Sequence, residues 1–136
     1  MKLLIPIDGS DYSVNAAKVA GKMALEHNDD ILLLHVVTDT GVGRKKWRNT
    51  GAESILSSVR DILINAGCDE KRIKCIVKDG NAPEIIVDIA NQHDAYKIVM
   101  GTRGNTGLKK IMGSVTEKVL QTSNKLVLVV PPKYKN

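Results

Sequence analysis

The residues of this sequence best suited to chemistry gather in two short stretches. One is Pro6-Ile7-Asp8-Gly9-Ser10, and the other is Met100-Gly101-Thr102-Arg103-Gly104, followed at a distance by Gly113-Ser114. Asp8 closes an apolar run, where a carboxylate is costly unless it has partners. It either accepts a hydrogen bond from a ribose or a base, or it caps the turn and helix that follow. Gly101 and Gly104 let the backbone come close to a ligand or take positive φ. Gly113-Ser114 falls where a helix begins, and a helix start offers free N–H groups and partial positive charge, which suits a phosphate. The Ser114 hydroxyl and the side chains of Arg103, Lys109 and Lys110 add to that character. The plainer alternative is a turn glycine and an N-cap serine. A lone Gly-x-x-Gly says little; joined to Gly-Ser at a helix start after a parallel strand, it points to an anion.

Other reactive side chains lack a constellation. His35 is the single histidine of an apolar run and reads as a satisfied core residue. His27 and His93 lie near helix ends, where pairing with the helix terminus is their expected role. Asp11 and Ser13 have no histidine near them in sequence, so a nucleophile triad has no support. Cys68 and Cys75 form no C-x-x-C pair and have no histidine at zinc-ligand spacing. Cys75, inside an apolar run, reads as a small core residue, and the pair suits a reduced, cytoplasmic setting.

The elements that must position these residues follow from periodicity. Residues 2–7 read as a buried strand, and Asp8 to Asp11 as a turn with capping residues. Ala16, Val19, Ala20, Met23 and Ala24 recur at helical spacing from Asp11 to about Asn28. Ile31 to Val37 is a continuous apolar run broken only by His35, as expected of a parallel strand covered on both faces. A second helix spans Gly51 to Ala66, with Gly67 as its stop, and a third strand spans Ile73 to Val77. Asn81 and Pro83 open a third helix, Lys97 to Gly101 is a fourth strand, Ser114 to Ser123 a fourth helix, and Leu126 to Val130 a fifth strand. Strands alternating with helices predict one α/β domain over 1–136, a doubly wound parallel sheet with helices on both faces. In such a sheet ligands bind beyond the carboxyl ends of the strands, where strand order reverses. With an order of 3-2-1-4-5 that point lies between strands one and four, where the two chemical stretches end.

Bulk composition narrows the classes. The chain has 136 residues, 43% hydrophobic and 26% charged, which is ordinary for one globular domain. Aromatics are 3% and Phe is absent, leaving few rings for base stacking and arguing against a single-strand nucleic-acid binder. A net charge of +5 favours phosphate-bearing partners without choosing among them. The run Leu3-Leu4-Ile5 is too short for a secretory signal, and no stretch approaches the roughly 18–20 apolar residues of a membrane span. The basic run Arg44 to Arg48, with Trp47, reads as a solvated loop; a lid or a partner surface is the alternative.

Taken together, Ile5-Pro6-Ile7-Asp8-Gly9-Ser10, His35-Val36-Val37, Gly80-Asn81-Ala82-Pro83-Glu84, Val99-Met100-Gly101-Thr102-Arg103-Gly104, Gly113-Ser114-Val115 and Leu126 to Pro131 resemble the universal stress protein family over nearly the whole chain. The resemblance implies a Rossmann-like five-stranded sheet of order 3-2-1-4-5 and a homodimer through the last strand. Its ATP-binding branch carries Gly-x2-Gly-x9-Gly-Ser/Thr. In such members the residues matching Asp8 and Val36 hold ribose and adenine, and those matching Gly101, Gly104, Gly113 and Ser114 hold phosphates. Pro6, Met100, Arg103 and Val115 flank these positions and complete the candidate set.

Two departures stand out. Eight residues, Asn105 to Met112, separate Gly104 from Gly113 where the pattern has nine. The loop could tighten and still bind, or its N–H groups could miss the phosphate. Tyr96 and Lys97 stand where the family usually has an acidic and an apolar residue. All motif glycines are kept, so the expectation is an adenine-nucleotide-binding stress-response regulator, holding ATP, ADP or AMP with Mg²⁺ bridging phosphates. A regulatory protein partner is expected, with no membrane or nucleic acid. No positioned general base is evident, so any hydrolysis is expected to be slow. The rival is a dimeric interaction module that binds no nucleotide, as in the branch lacking the glycine motif. An adenylyl-transferring α-hydrolase relative would need a Ser-Gly-Gly-x-Asp-Ser loop, which Asp8-Gly9-Ser10-Asp11-Tyr12-Ser13 does not match.

Overall fold

The computed structural model describes residues 1–38, 51–103 and 112–135. Gly104, Lys109, Lys110 and the basic run Arg44 to Arg48 with Trp47 lie outside the described residues. Among the described residues the elements are β1 (Lys2–Pro6), α1 (Asp11–His27), β2 (Asp30–Val37), α2 (Ala52–Asn65), β3 (Ile73–Asp79), α3 (Ala82–Gln92), β4 (Lys97–Gly101), α4 (Ser114–Thr122) and β5 (Leu126–Val130), with a 3₁₀ turn at Glu70–Arg72. The sheet is parallel with order β3-β2-β1-β4-β5.

Alternation along the buried strands feeds two cores. Leu3, Ile5, Ile7, Ile31, Leu33 and Val99 pack on Ala16, Ala17 and Ala20 of α1 and on Leu56, Val59 and Leu63 of α2. Leu4, Leu32, Leu34, Ile98 and Met100 face Ile86, Ile89 and Ala90 of α3 and Val119 of α4. Covering both faces explains why the strands read as continuous apolar runs. The small face of α1 lets it sit close to α2: a Cβ on Gly21 would lie 2.7 Å from Leu63 Cδ2.

Capping follows the local sequence. Ser10 Oγ accepts from Ser13 N at 3.2 Å, and Asn81 Oδ1 accepts from Glu84 N at 3.2 Å. Gly67 takes φ +107° just beyond α2, as a helix stop does.

Three expectations are corrected. The third strand does not end at Val77 but runs to Asp79, because β2 pairs with it through Val37↔Asp79. Cys75 is exposed and not a core residue: β3 is an edge strand, and the helices cover it incompletely. Cys68 is the buried thiol, donating weakly to Gly21 O at 3.7 Å, and burial pushes its pKa up. The third concerns Gly101 and is described with the site. The unusual pair at the entry to β4 forms a polar node at the other end of the sheet. Tyr96 Oη donates to buried Asp29 Oδ2 at 3.1 Å, and Lys97 Nζ lies 5.4 Å from the Tyr96 ring centroid.

Candidate functional site

β1 and β4 pair only through Leu3↔Lys97 and Leu4↔Ile98, and beyond that they feed chains to opposite sides of the sheet. The space between their carboxyl ends is a cleft of about 460 Å³. Pro6 and Asp8 reach it from β1, Val36 from β2, and Met100, Gly101 and Arg103 from β4. Gly113, Ser114 and Val115 form its wall at the start of α4. All the sequence candidates except Gly104 thus meet at one place, although they come from four separated segments.

The two readings of Asp8 prove compatible. Its Oδ1 accepts from Ser10 N at 2.9 Å and from Ser10 Oγ, so it does support the turn into α1. It is nevertheless exposed and lines the cleft. Ser13 Oγ accepts from Asp8 N at 3.3 Å and donates to Ser10 O at 2.9 Å, closing a local network.

The opposite wall is an open helix end. Gly113 is the N-cap of α4 and supplies no side-chain cap, unlike Ser10 before α1 and Asn81 before α3. The first intrahelical bond, Glu117 N to Gly113 O at 3.0 Å, leaves the amides of the first turn without an intrahelical acceptor. These amides and the helix dipole face space bordered by Arg103, a setting that favours an anion. The helix start is docked firmly on β4. Gly113 N donates to Thr102 O at 2.6 Å, and Thr116 Oγ1 donates to Gly101 O at 2.9 Å.

Of the two readings of Gly101 made from sequence, positive φ is overturned, because its φ is not among the positive values. Gly101 lines the cleft, and the protein itself also approaches it closely. A Cβ there would lie 2.9 Å from Tyr12 Cβ and 3.0 Å from Tyr12 O. Tyr12 also receives the Arg103 guanidinium 5.3 Å from its ring centroid, which holds that cation at the cleft rim.

Sequence reasoning missed Tyr12, Ser13 and Thr116 as site neighbours. Only Thr116, 3% exposed and two residues after Ser114, carried a signal: a hydroxyl on the inner face of a helix start. His35, read as a satisfied core residue, is one: Nδ1 lies 2.6 Å from Ile7 O. It also lines the cleft. Among the described residues no group of three or more His, Cys, Asp or Glu could hold a metal ion. Among them, too, no helix is long and apolar enough to cross a membrane.

These features define a doubly wound α/β domain with a ligand-sized cleft at its topological switch point. A family model described as the universal stress protein family matches residues 1–131, and the chain belongs to that family. It is 34% identical to the universal stress protein YxiE of Bacillus subtilis, over 95% of this chain and 97% of the relative. It is 32% identical to the universal stress protein MJ0531 of Methanocaldococcus jannaschii, over 95% of this chain and 81% of that protein. The solved structure of MJ0577 from the same organism superposes with a TM-score of 0.84 at 30% identity, covering 98% of this chain and 97% of the other. A universal stress protein solved in complex with cAMP superposes at 0.77 with 25% identity, covering 96% of both chains.

Proposed function

We propose that this chain binds an adenine nucleotide in the cleft between β1 and β4 and acts as a regulatory homodimer in stress response. The observation that carries the reading is the uncapped start of α4, docked on β4 by the Gly113 N–Thr102 O bond and facing Asp8 across the cleft. That bond bears on the shortened loop: with one residue fewer between Gly104 and Gly113, the helix start still lies against the strand end. The cAMP complex of a related protein supports the ligand class.

In this reading adenine lies by Pro6, Val36 and Met100, and the ribose lies by Asp8. Phosphates lie by Gly101, Arg103, Gly104 and the Gly113-Ser114-Val115 turn. Mg²⁺ is held through the phosphates. Dimerisation uses the outer edge of β5, which among the described residues pairs only with β4 and carries Leu126 at 64% exposure. The protein works in the cytoplasm, and the bound nucleotide signals to a protein partner.

The test is a calorimetric titration of nucleotide-stripped protein with Mg-ATP, AMP and cAMP, with GTP as control. Saturable adenine-nucleotide binding, lost in Gly113→Val, is the expected result. Gly113 has φ −74° and ψ 161°, which any residue adopts, so that variant should fold. No binding up to millimolar nucleotide overturns the reading and leaves the interaction module.

A further inference from the structure

The peptide joining Ile7 to Asp8 carries the chain out of the sheet and into the cleft. The ladder between β1 and β2 ends at Pro6↔Leu34, so this peptide lies just beyond regular pairing. It is held on every side all the same. Ile7 N donates to Leu34 O at 2.7 Å. Asp8 N donates to Ser13 Oγ at 3.3 Å, and Asp8 Oδ1 is gripped by Ser10. The Ile7 carbonyl is taken by a side chain: His35 Nδ1 lies 2.6 Å from it. A carbonyl oxygen only accepts, so Nδ1 carries a proton. His35 is 9% exposed, and its partner is buried Ile7. Water is a poor substitute there, and an unmet carbonyl would be costly.

An apolar residue at position 35 would continue the Ile31–Leu33 face of β2, but it could not hold this carbonyl. We infer that His35 is a positioning residue of the cleft: its Nδ1–H fixes the Ile7–Asp8 peptide and thereby aims the Asp8 carboxylate. The consequence for affinity rests on the nucleotide reading above; the clamp itself does not.

Two polar variants separate the roles. In His35→Asn the side-chain amide reaches the place of Nδ1 and restores the donor. In His35→Gln it reaches the place of Nε2 and does not. Both keep a polar amide of similar size, so folding is comparable and is checked by circular dichroism. The first readout is amide hydrogen exchange at Asp8 in nucleotide-free protein, with the His35 tautomer read from imidazole nitrogen shifts. Exchange at Asp8 should quicken about tenfold in His35→Gln, the worth of one buried hydrogen bond, and stay near wild type in His35→Asn. Equal exchange in both variants, or an Nε2–H tautomer in wild type, overturns the clamp.

The second readout is calorimetric affinity for AMP. His35→Gln should weaken it about tenfold while His35→Asn stays within about twofold. Unchanged affinity in His35→Gln, or equal losses in the two variants, overturns the positioning role. If wild-type protein binds neither AMP nor ATP, the nucleotide reading fails and takes the affinity consequence with it, while the exchange measurement still decides the clamp.

Discussion

Two glycines of one motif answer to different physics. Gly101 is required by the approach of Tyr12, and the offending atoms are Tyr12 Cβ and its backbone. Gly101→Ala should therefore lower stability by about 1–3 kcal/mol through overpacking. Adding Tyr12→Ala should not rescue it, because those atoms remain. Chemical denaturation of the single and double variants checks this, and full rescue would show that the ring and not the backbone sets the constraint. Gly113 has ordinary dihedrals, so its substitution should separate binding from folding. A motif glycine is thus not one kind of evidence: here its meaning depends on what stands next to it.

At the scale of the element, the four helices divide by how their N-termini are satisfied. Ser10 and Asn81 cap α1 and α3, whereas α2 after Gly51 and α4 after Gly113 have no side-chain cap, and of these two α4 opens toward the cleft. Ser10→Ala should cost about 0.5–2 kcal/mol. Gly113→Asp should do the reverse and add a few tenths of a kcal/mol, about the difference between these residues at an N-cap. The same carboxylate would occupy the proposed phosphate site, so nucleotide affinity should fall more than tenfold. Unfolding curves and titration of one variant measure both effects, and a Gly113→Asp protein that is more stable yet binds normally would remove the phosphate from α4.

The C-terminal end of α3 carries a second prediction. Burial, with smaller contributions from Lys74, Lys2 and Lys78, holds the His93 pKa below its ordinary 6.5. The unfolded chain therefore takes up this proton first as pH falls. The contribution to stability is present above about pH 6.5 and is lost progressively below it. His93→Gln should flatten that decline in pH-dependent denaturation, and an unchanged slope would place its origin elsewhere.

For the molecule as a whole, the two sheet edges differ. β3 exposes Lys74 and Lys78, charges that discourage strand-to-strand association, whereas β5 is Leu126-Val127-Leu128-Val129-Val130 and apolar throughout. The proposed homodimer uses the second edge. Leu126→Asp, at a largely exposed position, should leave the monomer fold intact and shift the protein to monomer in sedimentation velocity. A dimer that persists would move the interface away from β5.

The sequence by itself determined the element order, the parallel character of the sheet and most of the candidate site. Continuous apolar runs, helical spacing of small residues, cap residues and turn glycines are local signals, and each left its mark within a few positions. Strand ends were legible to within two residues: β1 was placed to within one residue, and β3 was cut short before Asp79. Only the tertiary structure decided what depends on a neighbour far along the chain. Cys75 is exposed because β3 is an edge, Gly101 is glycine because α1 crosses it, and His35 serves the cleft through Ile7, 28 residues away. Burial, close approach and a long-range hydrogen bond are properties of pairs of segments, and no spacing within one segment encodes them.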